Sequence, residues 1–443
     1  MLNNNFLRLA VGVLALSAAS ACSDFGSKAK KPLPGDRVSV LAHESNLKPN
    51  ESLTETQIRL PRPRINADWP QSGGYAHHAM HHLAIGGNLQ KIWDTNIGVG
   101  NDDRNRLLNQ PIVAEGLVYV MDANALVTAL TLSDGREVWS VNLRPENEDE
   151  GESLMGGGVA YENGRIFATT GFGEVFALDA KNGAQLWNRA LGSPLRASPT
   201  VNGGRVFVLT LDNAIQALSA ADGAPLWTYS GAVEVAGLLG AASPALDAEV
   251  IVAGLSTGEL MALRVGNGGV VWQDQLAARA STDAVSNIAD IPARPVIDRG
   301  LVIAVGHGGL MVAIDLRTGA RMWETEIGGM QQPWVAGDYV YVLTNNAELV
   351  ALDRRTGGII WVNALPRWED EEAKDNPIVW NGPLLASDRL ILPASTGMIY
   401  SVSPYTGKTL GVQEMSSGIN LAPIIANGTV IFLTESADLV AYR

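Results

Sequence analysis

Cysteine is nearly missing from this chain. Cys22 is the only one in 443 residues, so no intramolecular disulfide can form, whatever the redox compartment. Basic residues are outnumbered: 32 Lys and Arg face 46 Asp and Glu, a net charge of −14. That sign opposes the phosphate neutralisation behind nucleic-acid affinity and gives no electrostatic hold on anionic lipid. Catalytic signatures are lacking too. The sequence contains no Walker loop and no dinucleotide glycine fingerprint after a strand. With 46% hydrophobic and only 18% charged residues, the chain can bury a sizeable core and is neither disordered nor fibrous.

The first 21 residues carry one basic residue, Arg8, the apolar stretch Leu9–Ala18, and then the small residues Ala19, Ser20 and Ala21. This is the layout of a secretory signal peptide, too short and wrongly flanked for a spanning helix. Cys22 follows directly. The join resembles a bacterial lipoprotein signal, with Ala19 standing where that pattern usually has a large aliphatic residue. The resemblance implies that Cys22 becomes the acylated first residue of the mature chain. Ser23 follows the cysteine, and the Asp that usually marks inner-membrane retention is absent there, which points to the outer membrane. Each acyl chain contributes about 0.8 kcal/mol per buried CH₂, so several would hold the protein without a spanning segment. The expected division is a signal peptide at 1–21, a lipid-anchored flexible tether at 22–68 and one folded domain at 69–443.

That domain is repetitive. Pro111, Pro199, Pro244, Pro295 and Pro333 each lie 28 residues before a tryptophan: Trp139, Trp227, Trp272, Trp323 and Trp361. Val159 takes the proline place before Trp187, Pro383 precedes Gly411 by the same interval, and Pro423 opens an eighth unit. Within each unit, runs such as Gly116–Asp122 and Glu174–Asp179 alternate β-branched or aromatic residues, and pairs such as Asp134-Gly135 and Asn182-Gly183 supply hairpin turns. Each unit therefore reads as four short antiparallel strands. Ala129, Ala177, Ala217, Ala262, Ala313 and Ala351 stand ten residues before their tryptophans. A small residue there leaves room for an indole lying flat on the backbone of the adjacent blade. The last unit lacks a fourth strand, and Leu89–Asn96, with Trp93, is an unpaired copy of one. The pattern predicts an all-β, eight-bladed propeller of four-stranded antiparallel blades, closed by the N-terminal strand that carries Trp93.

These repeats resemble those of pyrroloquinoline-quinone dehydrogenases and their non-enzymatic relatives over about residues 69 to 443. With the lipoprotein join, the eight-blade count and the segment Pro32–Leu41, the chain resembles the BamB family, propeller lipoproteins of the outer-membrane β-barrel assembly machine. The resemblance implies a non-catalytic scaffold on the periplasmic face of the outer membrane. Its implied partners are the POTRA domains of BamA, other subunits of the machine and unfolded outer-membrane protein clients. The family's Leu-Arg contact with BamA corresponds to Leu195 and Arg196 in SPLRASP, and its acidic contact loop to Asp290 in ADIPARP. A second family acid is replaced by Pro292, and Ser193 stands where a further leucine is common. A protruding leucine beside a guanidinium makes a plausible anchor.

A quinone enzyme needs a calcium-bound cofactor, a catalytic carboxylate and in many cases an adjacent cysteine pair, which one cysteine cannot supply; no calcium-ligand cluster stands out either. A propeller holding a quinone or another small ligand in its channel is the alternative to the scaffold. The segment His77-His78-Ala79-Met80-His81-His82 gathers four of the six histidines, the best metal hint in the chain. Its surroundings offer no further fixed ligands, so it reads as a solvated or capping segment. The acidic runs Glu146–Glu152 and Trp368–Asp375 read as solvated inter-blade loops. No cofactor and no metal are expected.

Overall fold

The structure, a computed structural model, describes residues 47–145, 155–234, 237–240, 242–276 and 288–443. Cys22, the signal segment, Pro32–Leu41 and the acidic run Glu146–Glu152 lie outside them.

Eight four-stranded antiparallel sheets follow one another along the chain. Blades 1 to 7 span residues 112–142, 157–190, 200–230, 245–275, 296–325, 334–364 and 384–414, and in each the strands run in sequence order. Blade 8 takes three strands from 424–442 and its outermost from Lys91–Asn96, with Trp93 opposite Ala441. The closure expected from Trp93 is therefore the observed one.

The repeated small residue sits between two large ones. Tyr119 pairs with Ala129 and Ala129 with Trp139 across three strands, and the Tyr119 and Trp139 rings meet over the alanine at 5.9 Å. Phe167–Trp187, Phe207–Trp227 and Tyr341–Trp361 repeat the arrangement at 5.9–6.0 Å, the spacing tilted aromatic pairs prefer. Each indole N–H then crosses to the next blade. Trp93 donates to Leu132 O at 3.0 Å, Trp139 to Ala180 O at 3.0 Å, Trp187 to Ala220 O at 3.2 Å and Trp227 to Val265 O at 2.9 Å. Trp272, Trp323 and Trp361 donate likewise to Leu316, Arg354 and Pro404.

Under each indole lies the hairpin glycine of the receiving blade. At Gly223, φ is +70° and an added Cβ would stand 2.7 Å from the Trp187 ring. The glycines that the sequence marks as turns are also the floors on which the tryptophans rest. Blade 7 has Gly411 in the tryptophan place. The blade that would receive an indole there, blade 8, has no hairpin between its outer two strands, which come from distant parts of the chain and meet where Arg443 and Gln90 exchange backbone hydrogen bonds.

The innermost strand of every blade presents an edge to the central channel, and unpaired edge groups removed from water are costly. Residues 64–84 run around that edge as a collar. Trp69 exchanges backbone bonds with Val113 of blade 1, Pro70 O accepts from Tyr161 of blade 2, Ala76 O from Leu246 of blade 4 and His77 O from Ile297 of blade 5. The Gln71 side chain bonds both backbone groups of Val201 in blade 3. Trp334 of blade 6 donates its indole N–H to His81 O, Leu83 N bonds Leu385 O of blade 7, and Asn66 bonds Ile425 O of blade 8. The collar ends pair with each other, Arg64 N to His82 O and Ala84 N to Arg64 O. This corrects the expected tether. Its last stretch, 47–68, lies on the propeller: Asn50 N bonds Ile359 O, Ile58 is buried and 64–68 belongs to the collar. Low periodicity there reflects an extended segment whose backbone, rather than an apolar face, makes the contacts.

Candidate functional site

The outer-to-inner connections between blades all emerge on one face. Described residues of three of them, Arg196, Glu234 with Leu238, and Asp290, together with Leu211 and the central turns of blades 3 and 4, line a cleft of about 270 Å³. Asn213 ties its floor together, donating to Ala232 O and to Ser256 Oγ. The sequence-predicted Arg196 and Asp290, two blades apart, thus share one concavity.

Leu195 is not part of that surface. It is fully buried, it bridges Thr210, and it packs in a core with Val175, Val208 and Leu218. The expected protruding leucine is a core residue because the connection enters the inner edge here, and alternation along extended backbone sends its side chain inward while Arg196 turns outward. The exposed leucine beside Arg196 is Leu211, which is 42% exposed, lines the cleft and bonds Pro194 O through its backbone N–H. Val233 and Leu239, on the neighbouring connection, are also exposed. Sequence reasoning missed Leu211; the signal was a leucine opening the turn 211–213, where the other blades carry small or polar residues such as Ser256 and Asn345.

Asp290 is held from several sides. Leu238 N donates to its Oδ2 at 2.8 Å, and burial raises its pKa above the usual carboxylate range despite the Leu238 and Ile291 N–H groups and the nearby charges of His307 and Arg196. Arg196 itself makes no hydrogen bond or ion pair among the described residues, so its guanidinium is available at the cleft.

The histidine cluster lies in the collar. His82 Nδ1 bonds Pro61 O at 2.7 Å and its Nε2 accepts from Asp388 N at 3.0 Å. His78 Nδ1 bonds Pro295 O, and His77 Nδ1 accepts from Ala79 N. Among the described residues no three His, Cys, Asp or Glu side chains are placed to hold a metal ion. Trp368–Asp370 and Asp375–Pro377 form an exposed hairpin that carries the second acidic run.

Indoles that bond across to the next blade and a ring closed by the N-terminal strand define a β-propeller with a cleft between its blades. A family model described as outer membrane protein assembly factor BamB matches residues 123–363. The assembly factor BamB of Salmonella typhimurium is 31% identical over 355 residues, covering 79% of this chain and 88% of the relative. That of Escherichia coli K12 is 31% identical over 352 residues, covering 78% and 87%. The chain belongs to the BamB family of outer-membrane protein assembly factors. Among solved structures, BamB of Moraxella catarrhalis superposes with a TM-score of 0.63 at 20% identity, covering 80% of this chain and 98% of that one. A europium-containing methanol dehydrogenase superposes with a TM-score of 0.65 at 17% identity, covering 83% and 89%. At these identities the structural likeness speaks for the fold alone.

Proposed function

We propose that this protein is a non-catalytic scaffold of the outer-membrane β-barrel assembly machine. It is anchored by acylated Cys22 to the periplasmic face of the outer membrane and docks on the POTRA domains of BamA through the Arg196–Asp290 cleft. Family membership supports the assembly role. The observation that carries the assignment of the face is the convergence of Arg196, Asp290 and exposed Leu211 on one cleft. A half-buried guanidinium beside an exposed aliphatic side chain is the composition of an interface hot spot, and a buried, N–H-supported carboxylate gives that guanidinium's partner a fixed electrostatic setting. The outer strands other than that of blade 6, which the Asn50 segment covers at Ile359, are largely exposed, as in Thr409–Glu414, and are the edges on which extended clients would add as a further strand.

The test is recovery of the barrel insertase from detergent-solubilised envelopes with the wild type and with a folded Arg196→Glu, Leu211→Asp double variant. Recovery with the wild type and loss with the variant supports both role and face. Recovery with both keeps the role and rejects the face, and no recovery with either rejects the role. Mass spectrometry of the mature N-terminus checks the anchor: a lipid-modified Cys22 is expected, and an unmodified one overturns it.

A further inference from the structure

On the same face as the cleft, the central channel narrows to a small cavity whose floor is the collar. Trp69 and Gly73 of the collar line it, with Gln110, Arg294, Gln331, Gln332 and Trp334 around them. Two donors there lack acceptors. Arg294 makes no hydrogen bond or ion pair among the described residues, and its Nε–H is buried without a partner. The Trp69 indole N–H is buried without one as well, whereas the seven inter-blade tryptophans, Trp334 and Trp380 all donate to carbonyls.

No carboxylate lines the cavity among the described residues. The titratable neighbour His78 offers no countercharge: burial pushes its pKa down to about 3, aided by the Arg294 charge and against its bond to Pro295. Burial lowers Arg294 only to about 10, so it stays cationic at neutral pH. A guanidinium largely withdrawn from water without an acceptor is costly, and an orphaned buried N–H adds to that cost. An anion relieves both at once.

We propose that this cavity is a binding site for a small monovalent anion of halide size, held by the Arg294 guanidinium and the Trp69 indole N–H, with the glutamine amides around it. Its volume of about 20 Å³ has room for one particle near the size of a water molecule or a halide and none for a tricyclic quinone. The anion ties the collar to the connection before blade 5, because Trp69 belongs to one and Arg294 to the other.

The test uses the whole chain and bromide as the probe. Crystals soaked in bromide should show an anomalous peak beside Arg294. Melting temperature should rise saturably with sodium bromide over sodium gluconate at equal ionic strength. Arg294→Gln should weaken the bromide midpoint on the order of tenfold or more, since a hydrogen bond to a charged group is lost. Trp69→Phe, which keeps the packing and removes the N–H, should weaken it several-fold. Bromide peaks only elsewhere would be adventitious ions and overturn the site, as would equal melting in bromide and gluconate. If Arg294→Gln fails to fold, the wild-type anomalous map decides.

Discussion

Asp290 shows how one side chain serves both fold and surface. Its pKa is raised by burial, so in the carboxylate titration range the folded state binds more protons than the unfolded state. Stability attributable to this group then falls as pH rises from the unfolded value through the folded one. Asp290→Asn keeps an oxygen for the Leu238 N–H and cannot ionise. Its melting temperature relative to wild type should therefore improve between pH 4 and pH 7, and a difference that is flat with pH would remove Asp290 as the cause. At neutral pH the same variant should bind the insertase more weakly, since the cleft has lost its fixed negative charge; this separates the residue's role in docking from its cost to the fold. Arg196 and Asp290 stood out in the sequence only through the resemblance to a family motif, and the structure brings both to one cleft. Leu195 was misread because motif identity does not say which way an extended residue points. Leu211 left no motif at all, since exposure of one leucine after a strand depends on how two connections cross in space.

At the scale of the element, the hairpin glycines and tryptophans form a single joint. Gly223→Ala combines a φ of +70° with a Cβ 2.7 Å from the Trp187 ring, so it should cost more than the roughly 1 kcal/mol of an ordinary unfavourable turn substitution, measured by denaturant unfolding. A cost within a few tenths would mean that the indole shifts freely and is no anchor. The collar makes a different kind of joint. Gln71 alone satisfies both backbone groups of Val201, and Gln71→Ala leaves a buried donor and acceptor stranded, an expected loss of about 2–4 kcal/mol. Hydrogen exchange at Val201 should accelerate with it. Blades, turns and the small-residue row were readable because they recur at a fixed spacing. The collar was not, because its contacts with the eight blades run through backbone groups and single side chains at irregular intervals: it satisfies a periodic structure without being periodic. Only the histidine run hinted at a capping role, and a metal reading competed with it.

At the scale of the molecule, closure decides how the ring loses its structure. Seven inter-blade junctions carry the same indole, carbonyl and glycine, and that between blades 8 and 1 is one of them, with Trp93 on Leu132 O and Gly135. The eighth, between blades 7 and 8, lacks the indole, and there the two ends of the collar meet, Leu83 on blade 7 and Asn66 on blade 8. The collar thus crosses the one junction the repeat leaves without its anchor. A ring of near-equal contacts has no terminal repeat to fray, unlike an open solenoid, so damage at the closing strand should be felt by every blade. Trp93→Ala should then destabilise by about as much as Trp272→Ala in the middle of the ring, ~3–5 kcal/mol each for removing a buried indole, and both variants should unfold in one transition. If the closing strand is instead a local clasp, Trp93→Ala will shift global unfolding far less than Trp272→Ala, and fast exchange will be confined to Lys91–Asn96 and its partner Asp438–Tyr442. Deleting 83–98 sharpens the contrast, since it removes the strand and the collar's end on blade 7 together. An unchanged melting curve after that deletion would mean the ring is held without either.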